Sequence, residues 1–348
     1  MTAHEMAPVL SICIATFKRA GFITETVESI MGGLPPGVEV IIVDGASPDD
    51  TAVVMQALLQ RFPGLAYFRE IVNSGIDRDY DKAVGYARGR YCWLMTDDDL
   101  LVPGAVARVL SFLDDAVDLV VVNAEVRNAD LSITLRGSQL RQEGPSEYAP
   151  GQLDDLLAET GTYLSFIGAV VIRRGLWLAR KREAYYETLF IHIGVIFQGS
   201  LDGSTRVIRE PLIVIRYGNA MWSARGFEIW LFKWPSLIWS FAHIARSARQ
   251  SVIAEAPYRS PKQLLWYRAI GVFSRAEFDA FLSPRLSGPS LLTARALLRL
   301  PSKAANALCA CYFLLRSEKH AKMQLYDLAR ASTSTAISRA VARLKHSA

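Results

Sequence analysis

Arg90-Tyr91-Cys92-Trp93-Leu94-Met95-Thr96-Asp97-Asp98-Asp99-Leu100 is an apolar, aromatic run that stops abruptly at three consecutive carboxylates. Tyr91 to Met95 has the length and composition of a buried strand. Pro103, with apolar residues at 102, 106, 109, 110 and 113, predicts a helix start just beyond. The acids therefore stand at a strand's carboxyl end, where an open α/β sheet leaves a crevice for ligands. Three adjacent carboxylates repel one another, and burying one without a partner is costly, so a positive group is expected among them. A divalent ion carrying phosphate oxygens meets that need: Mg2+ or Mn2+ takes hard oxygen ligands, usually one or two carboxylates completed by water and substrate phosphate. The alternative is a solvated acidic turn in which Asp99 caps the next helix.

Upstream, strands and helices alternate. Val9 to Ala15 reads as a strand, followed by a helix through Phe22, Val27 and Ile30. Val38 to Val43 is a second strand ending at Asp44. After a turn over residues 45–50, Thr51 to Phe62 is helical with Asp49 or Asp50 at its cap. Leu65 to Arg69 is a third strand, and Asp77 to Arg88 a helix after Asn73-Ser74-Gly75. This order predicts an α/β fold, a mostly parallel sheet with helices on both faces. Thr16, Asp44 and Asp97 to Asp99 then all fall at strand carboxyl ends, where they can converge on one ligand.

Four stretches in this order and spacing carry a resemblance: Leu10-Ser11-Ile12-Cys13-Ile14-Ala15-Thr16-Phe17-Lys18-Arg19-Ala20; Val40-Ile41-Ile42-Val43-Asp44-Gly45-Ala46-Ser47-Pro48-Asp49-Asp50-Thr51; Asn73-Ser74-Gly75-Ile76; and Ala87 to Asp99. Together they resemble the inverting family-2 glycosyltransferases of the GT-A fold, Rossmann-like, particularly the bacterial abequosyltransferase-like branch of O-antigen and polysaccharide assembly. The resemblance implies a nucleotide-sugar donor, a glycan or polyprenyl-diphosphate-linked acceptor, and Mn2+ or Mg2+. It implies that Thr16 and Phe17 wall the nucleotide base and that Asp44 reads the base edge, against an Asx-turn role for Asp44. It matches Asp97 and Asp98 to the ribose and phosphate side, and Asp99, with Asp97, to the metal. Arg78 and Lys82 are donor contacts or surface helix charges.

An inverting displacement builds negative charge on the departing diphosphate and needs a general base on the opposite face of the sugar. In the resembled family an acidic pair opening a helix supplies that base, ahead of a signature that here looks like Glu210-Pro211-Leu212 to Arg216. Counting back lands on Phe190-Ile191-His192, where no acid stands. His192 is the substitute, since an imidazole accepts a proton near neutral pH, or else a satisfied polar residue among apolar neighbours. Glu187 is the second choice.

The chain has 348 residues, 51% of them hydrophobic, and a mean hydropathy of +0.18. That is enough for a catalytic domain over 1–217 and a second, helical region over 218–348. The net charge of +5 hides an asymmetry: residues 216–348 hold 20 Lys and Arg against 6 acids, whereas residues 1–215 hold 19 against 28. The basic part begins at Met221-Trp222. Phe227, Trp230, Leu231, Trp234, Ile238 and Phe241 form one helical stripe, which predicts either an interfacial helix on an anionic membrane or a helix packing on the catalytic domain. Met1 to Val9 lacks the pattern of a secretory signal and no stretch reads as a span, so a cytoplasmic protein, peripheral on the inner face of the membrane, is expected. The four cysteines, at 13, 92, 309 and 311, read as buried reduced thiols.

Two other classes fit less well. A nucleotidyltransferase needs a glycine-rich phosphate loop after the first strand, and Thr16 to Ala20 has no glycine. A non-enzymatic membrane or nucleic-acid adaptor explains the basic half but leaves three phosphate-repelling acids without a purpose, so no nucleic-acid partner is expected.

Overall fold

The computed structural model describes residues 7–219, 225–316 and 318–346. Met221-Trp222 and most of the Met1 to Val9 stretch thus lie outside the described residues. Two compact units are formed: Met1–Val126, Gly137–Arg216 and His243–Ala248 make the first, and Arg127–Arg136, Tyr217–Ala242 and Arg249–Ala348 the second.

The first unit begins β1 (Leu10–Thr16), α1 (Ile23–Met31), β2 (Val38–Asp44), α2 (Thr51–Arg61), β3 (Leu65–Arg69), α3 (Ile76–Tyr86) and β4 (Tyr91–Met95). A two-residue β5 (Leu100–Leu101), α4 (Ala105–Leu110) and β6 (Val117–Arg127) follow. The chain then passes through β7 (Thr134–Arg136), which belongs to the second unit. It returns as β8 (Glu147–Tyr148), α5 (Leu153–Thr160), β9 (Val170–Arg173), α6 (Arg174–Ala179), α7 (Ile191–Phe197) and β10 (Ser204–Arg216).

The sheet runs β3-β2-β1-β4-β9-β6-β10-β5. β1 is parallel to β2 and β4, and β2 to β3. β9 is antiparallel to β4 and β6, and β5 to β10. The class is the expected α/β, with parallel pairing among the four strands that helical crossovers join. β1 and β4 are buried along their whole length, which is why they read as unbroken apolar runs rather than alternating ones. Trp93 of β4 is fully buried and its indole N–H donates to the Gly168 carbonyl at 2.8 Å, so the ring brings no unpaired donor into the core. The register pairs Thr16 with Asp44 and Ile14 with Met95. The three strands therefore end nearly level, and the residues just past them share one edge of the sheet.

The second unit is helical: α8 (Gly226–Glu228), α9 (Trp234–Ser240), α10 (Arg246–Val252, begun in the first unit), α11 (Pro261–Ala269), α12 (Arg275–Glu277), α13 (Gly288–Arg299), α14 (Ser302–Leu314), α15 (Glu318–Arg330) and α16 (Ala336–His346). Phe227, Leu231, Tyr267, Phe273 and Phe278 form its aromatic core, the rings of Phe227 and Phe273 stacked 5.3 Å apart. This corrects the interfacial-helix reading. Phe227, Leu231, Trp234, Ile238 and Phe241 each expose at most 3%, and Trp230 packs on the same core. A π-helical turn at Ile229–Lys233 interrupts this stretch, and the apolar row on either side of it is turned inward. Asn306 of α14 is fully buried, and its amide donates to Ala269 O and Leu328 O, tying α14 to the ends of α11 and α15. The arm 127–136 is anchored in this unit, where Ala129 N donates to the Tyr326 hydroxyl. Tyr217 donates to Asp327 Oδ2 at 2.9 Å.

Among the described residues no helix is long and apolar enough to cross a membrane. All four cysteines are free; Cys13 and Cys92 are buried and Cys309 is half-buried, but Cys311 is exposed, contrary to expectation, because α14 turns it outward.

Candidate active site

The loops after β1 and β2 are stitched together. Lys18 N donates to Ser47 Oγ and Arg19 N to Thr51 Oγ1. Lys18 at φ 59° and Ala46 at φ 61° both sit in the left-handed region, a local cost that clusters where a site over-determines its backbone. Thr16 closes β1, buried, with half-buried Phe17 next to it. Asp44 closes β2 with no exposure: Oδ1 accepts from Ser47 N at 2.8 Å, Oδ2 from the Tyr67 hydroxyl at 2.6 Å, and Arg69 stands 3.8 Å away. The Asx-turn is therefore made by Asp44 itself, whereas Asp49 serves Thr51 and Ala20. Through Tyr67, Asp44 raises that phenol's pKa, with burial the larger cause.

The acidic turn is held from two sides. Arg19 reaches Asp97 at 3.4 Å and Asp98 at 3.3 Å. Asp99 accepts from the Thr96 hydroxyl and, at 2.7 Å, from the backbone N–H of Arg216 at the end of β10. The Arg216 guanidinium donates to Asp98 O and pairs with Glu25. Burial, then the neighbouring Asp98, pushes the Asp97 carboxyl up to about 7, with Arg19 countering. Asp99 rises well above the carboxylate range for the same two leading reasons. Arg19 pairs with Asp97 and Asp98, while Arg216 meets Asp99 through its backbone N–H and Asp98 through the backbone carbonyl; three carboxyls buried side by side repel one another, and a cation there is stabilising. Among the described residues no three acid, His or Cys groups close on a common point as an all-protein metal cage. The donor set suits a hard ion that takes one or two carboxylates and completes its shell with phosphate and water, and Asp97 and Asp99 fit that role.

The first turn of α3 adds a further part. Lys82 bonds Glu70 at 2.6 Å and Ser74 at 3.0 Å, with buried Asp79 at 3.9 Å. Asp79 lies against Gly45: a Cβ there would fall 2.5 Å from Asp79 Oδ2, so a side chain at position 45 would push the Asp79 carboxylate aside. Arg78 turns the other way, donating to Ser74 O, pairing with Glu187 at 3.6 Å and lying over the Tyr186 ring. Asp77, buried, accepts from Leu189 N at 2.9 Å and Ile191 N at 3.1 Å, fixing the chain where it enters α7. Asp81 accepts from Trp177, Arg182 and Tyr186. One face of α3 thus holds the segment 182–191, in which Glu187 (φ 68°) and Leu189 (φ 71°) are both left-handed.

Thr16, Phe17, Asp44 and Asp97 to Asp99 come together as expected at the strand ends, with Lys82 on the neighbouring helix turn. His192 does not fit the role given it. Its ring is 1% exposed, Nε2 lies 2.8 Å from Leu164 O, and burial pushes its pKa down to about 4, leaving it neutral, a weak base and out of a substrate's reach. Glu187 is open, its side chain 80% exposed. Arg19, Asp77, Asp79 and Arg216 were missed as site residues. Arg216 closes the Glu210-Pro211-Leu212 to Arg216 signature, and Arg19 lies within the stretch Leu10 to Ala20 that carries the resemblance.

Residues 11–175 match the family model described as Glycosyl transferase family 2. The chain is 26% identical over 233 residues to the abequosyltransferase RfbV of Salmonella typhimurium, covering 63% of this chain and 69% of that protein. It is 25% identical over 138 residues to the GalNAc(5)-diNAcBac-PP-undecaprenol beta-1,3-glucosyltransferase of Campylobacter jejuni, covering 39% and 45%. A mannosyltransferase from Pyrobaculum calidifontis, solved with GDP-Man and Mn2+, superposes with a TM-score of 0.53 at 17% identity, over 93% of this chain and 86% of that one. That likeness is one of fold, the GT-A fold.

Proposed function

From a chain that carries a family-2 glycosyltransferase domain over residues 11–175, we infer an enzyme that moves a sugar, with inversion, from a nucleotide-diphosphate donor to a hydroxyl of a glycan or polyprenyl-diphosphate-linked acceptor. The pathway is assembly of a bacterial polysaccharide or O-antigen; among the relatives one is named an abequosyltransferase and another for transfer to a diphosphate-linked undecaprenol glycan. We take residues 1–217 as the catalytic domain and 218–348 as the helical basic region, with the arm 127–136 standing in the second compact unit and residues 243–248 in the first. The observation that carries the reading is the acidic turn after β4, three carboxyls buried together beside the loops after β1 and β2, with burial raising Asp97 and Asp99.

Thr16 and Phe17 wall the base and Asp44 reads its edge, exchanging Tyr67 for the donor. Asp98, Arg19, Asp79 and Lys82 line the ribose and phosphate side. Mn2+ or Mg2+ on Asp97 and Asp99, when bound, supplies Lewis acidity at the departing diphosphate. Glu187 takes the proton of the acceptor hydroxyl as that oxygen bonds the anomeric carbon and the diphosphate leaves from the opposite face. Arg78 holds Glu187, and Asp77 holds the loop that bears it. A polyprenyl-linked acceptor requires work at the inner face of a membrane.

The test is thermal stabilisation by UDP- and GDP-sugars with and without Mn2+, with wild type and Asp99→Asn side by side. One donor with Mn2+ should stabilise wild type, by about 2.7 kcal/mol at a hundred times its Kd, and should hydrolyse or transfer. Asp99→Asn should melt normally without donor and lose the metal-dependent gain. An undiminished gain in the variant sinks the metal assignment, and no response to any nucleotide sugar sinks the donor reading.

A further inference from the structure

In the second unit α14 is apolar on two sides. Its inward side is small, Ala305, Asn306 and Ala310 packing against the neighbouring helices. Its outward side is large and bare: Leu308 is 58% exposed, Tyr312 42% and, just past the helix, Leu315 87%. These three lie four and three residues apart, on one stripe. α16 brings Leu344, 66% exposed, to the same end, since Lys345 Nζ reaches Arg316 O at 3.3 Å. An amphipathic helix in a finished core exposes no such row of large side chains.

Charge decides what covers it. Arg316 lies over the Tyr312 ring at 4.9 Å, and Arg343 and Lys345 flank Leu344. Residues 288–346 hold ten Lys and Arg against only Glu318 and Asp327, and Asp327 is bonded by Tyr217. A second copy docking face to face would set Arg316, Arg343 and Lys345 against their own counterparts, in a stretch where cations outnumber acids ten to two. A nucleic acid would satisfy the cations but leave the leucines nothing to bury against. An anionic bilayer satisfies both, taking aliphatic side chains below the headgroups, a tyrosine at headgroup level and cations at the phosphates.

We propose that the outward face of α14 and the C-terminal end of α16 form a docking surface for an anionic lipid bilayer. This rests on the transferase reading only in that a membrane-anchored acceptor gives the docking a purpose. The surface replaces the buried Trp230 and Trp234 stripe as the membrane contact.

The test sediments the full chain with vesicles of equal parts phosphatidylglycerol and phosphatidylcholine, and with pure phosphatidylcholine, at low and high salt. Wild type should bind the anionic vesicles, release with salt and ignore the neutral ones. Arg316→Gln with Lys345→Gln should weaken binding about thirtyfold. Leu315→Asp with Leu344→Asp should abolish it. Leu315, Arg316 and Leu344 are exposed and Lys345 is half-buried, and circular dichroism with donor-induced stabilisation checks that each variant is folded. Absence of binding at low salt, equal binding to neutral vesicles, or unchanged binding by both variants overturns the surface and leaves the transferase reading intact. So does self-association in vesicle-free buffer that the leucine variant abolishes. Vesicle binding by a protein that no nucleotide sugar stabilises overturns the transferase reading and leaves the surface standing.

Discussion

Replacing Asp77 by Asn removes one of the two acceptors that fix the entry to α7. The carboxylate takes the N–H groups of Leu189 and Ile191, and a hydrogen bond to a charged partner contributes about 1.5–3 kcal/mol. The amide keeps one acceptor but turns its NH2 toward the other backbone N–H, leaving a buried donor unmet at a cost of about 1–3 kcal/mol. Against this hold stands the left-handed backbone at Glu187 and Leu189, which costs each residue roughly 1–2 kcal/mol. Losing roughly 2.5–6 kcal/mol of restraint while keeping about 2–4 of strain should let residues 186–191 open locally. The core of β1 and β4 makes no use of Asp77, so global melting should change little. Native-state hydrogen exchange should show protection of Leu189 and Ile191 falling about a hundredfold or more, with donor stabilisation kept and turnover reduced through kcat rather than donor KM. If protection and turnover both stay at wild-type level, the clamp is ornamental; if donor stabilisation is lost equally, α3 serves the donor and not the acceptor loop.

His192, held neutral by burial with a pKa of about 4 against an ordinary 6.5, contributes stability that is complete above pH 6.5 and lost as pH falls to 4, up to about 3 kcal/mol. His192→Gln should flatten that part of the melting curve against pH while leaving the pH profile of kcat between 5 and 8 in shape; loss of an inflection there would restore the ring as the base. Asp327 has the opposite sign: burial raises its carboxyl to about 7 from 3.8, so its share of stability is complete below pH 3.8 and lost as pH rises to 7, at most about 4 kcal/mol. Asp327→Asn, still able to accept from Tyr217, should be more stable than wild type at pH 8 and nearly equal to it at pH 4; a difference independent of pH contradicts the assignment.

The first four strands were legible because each is short, apolar and punctuated by a polar turn: Leu65–Arg69 and Tyr91–Met95 were read to the residue. Their carboxyl ends placed the site, since in a parallel sheet that edge follows from connectivity alone. Position along the chain could not show what binds Asp97 and Asp98: Arg19 is some eighty residues away and reaches them only because β1 and β4 are neighbours. Counting back from Pro211 found the start of α7, yet the acid there is Asp77, arriving from another helix. The aromatic stripe at 227–241 failed for a different reason, because apolar periodicity says which residues share a face and not whether that face meets solvent, lipid or protein.

The arm 127–136 implies an order of events during synthesis. Ala129 and its partner Tyr326 are 197 residues apart in the chain, so at about 5–20 residues per second the arm emerges from the ribosome some 10–40 seconds before the helix that holds it. For that interval the nascent sheet carries an unfinished limb, a natural target for chaperones and proteases. A gene cut at residue 217 would make the interval permanent, and a shortened protein expressed to isolate the catalytic half should be soluble only if the arm is removed or given a substitute partner.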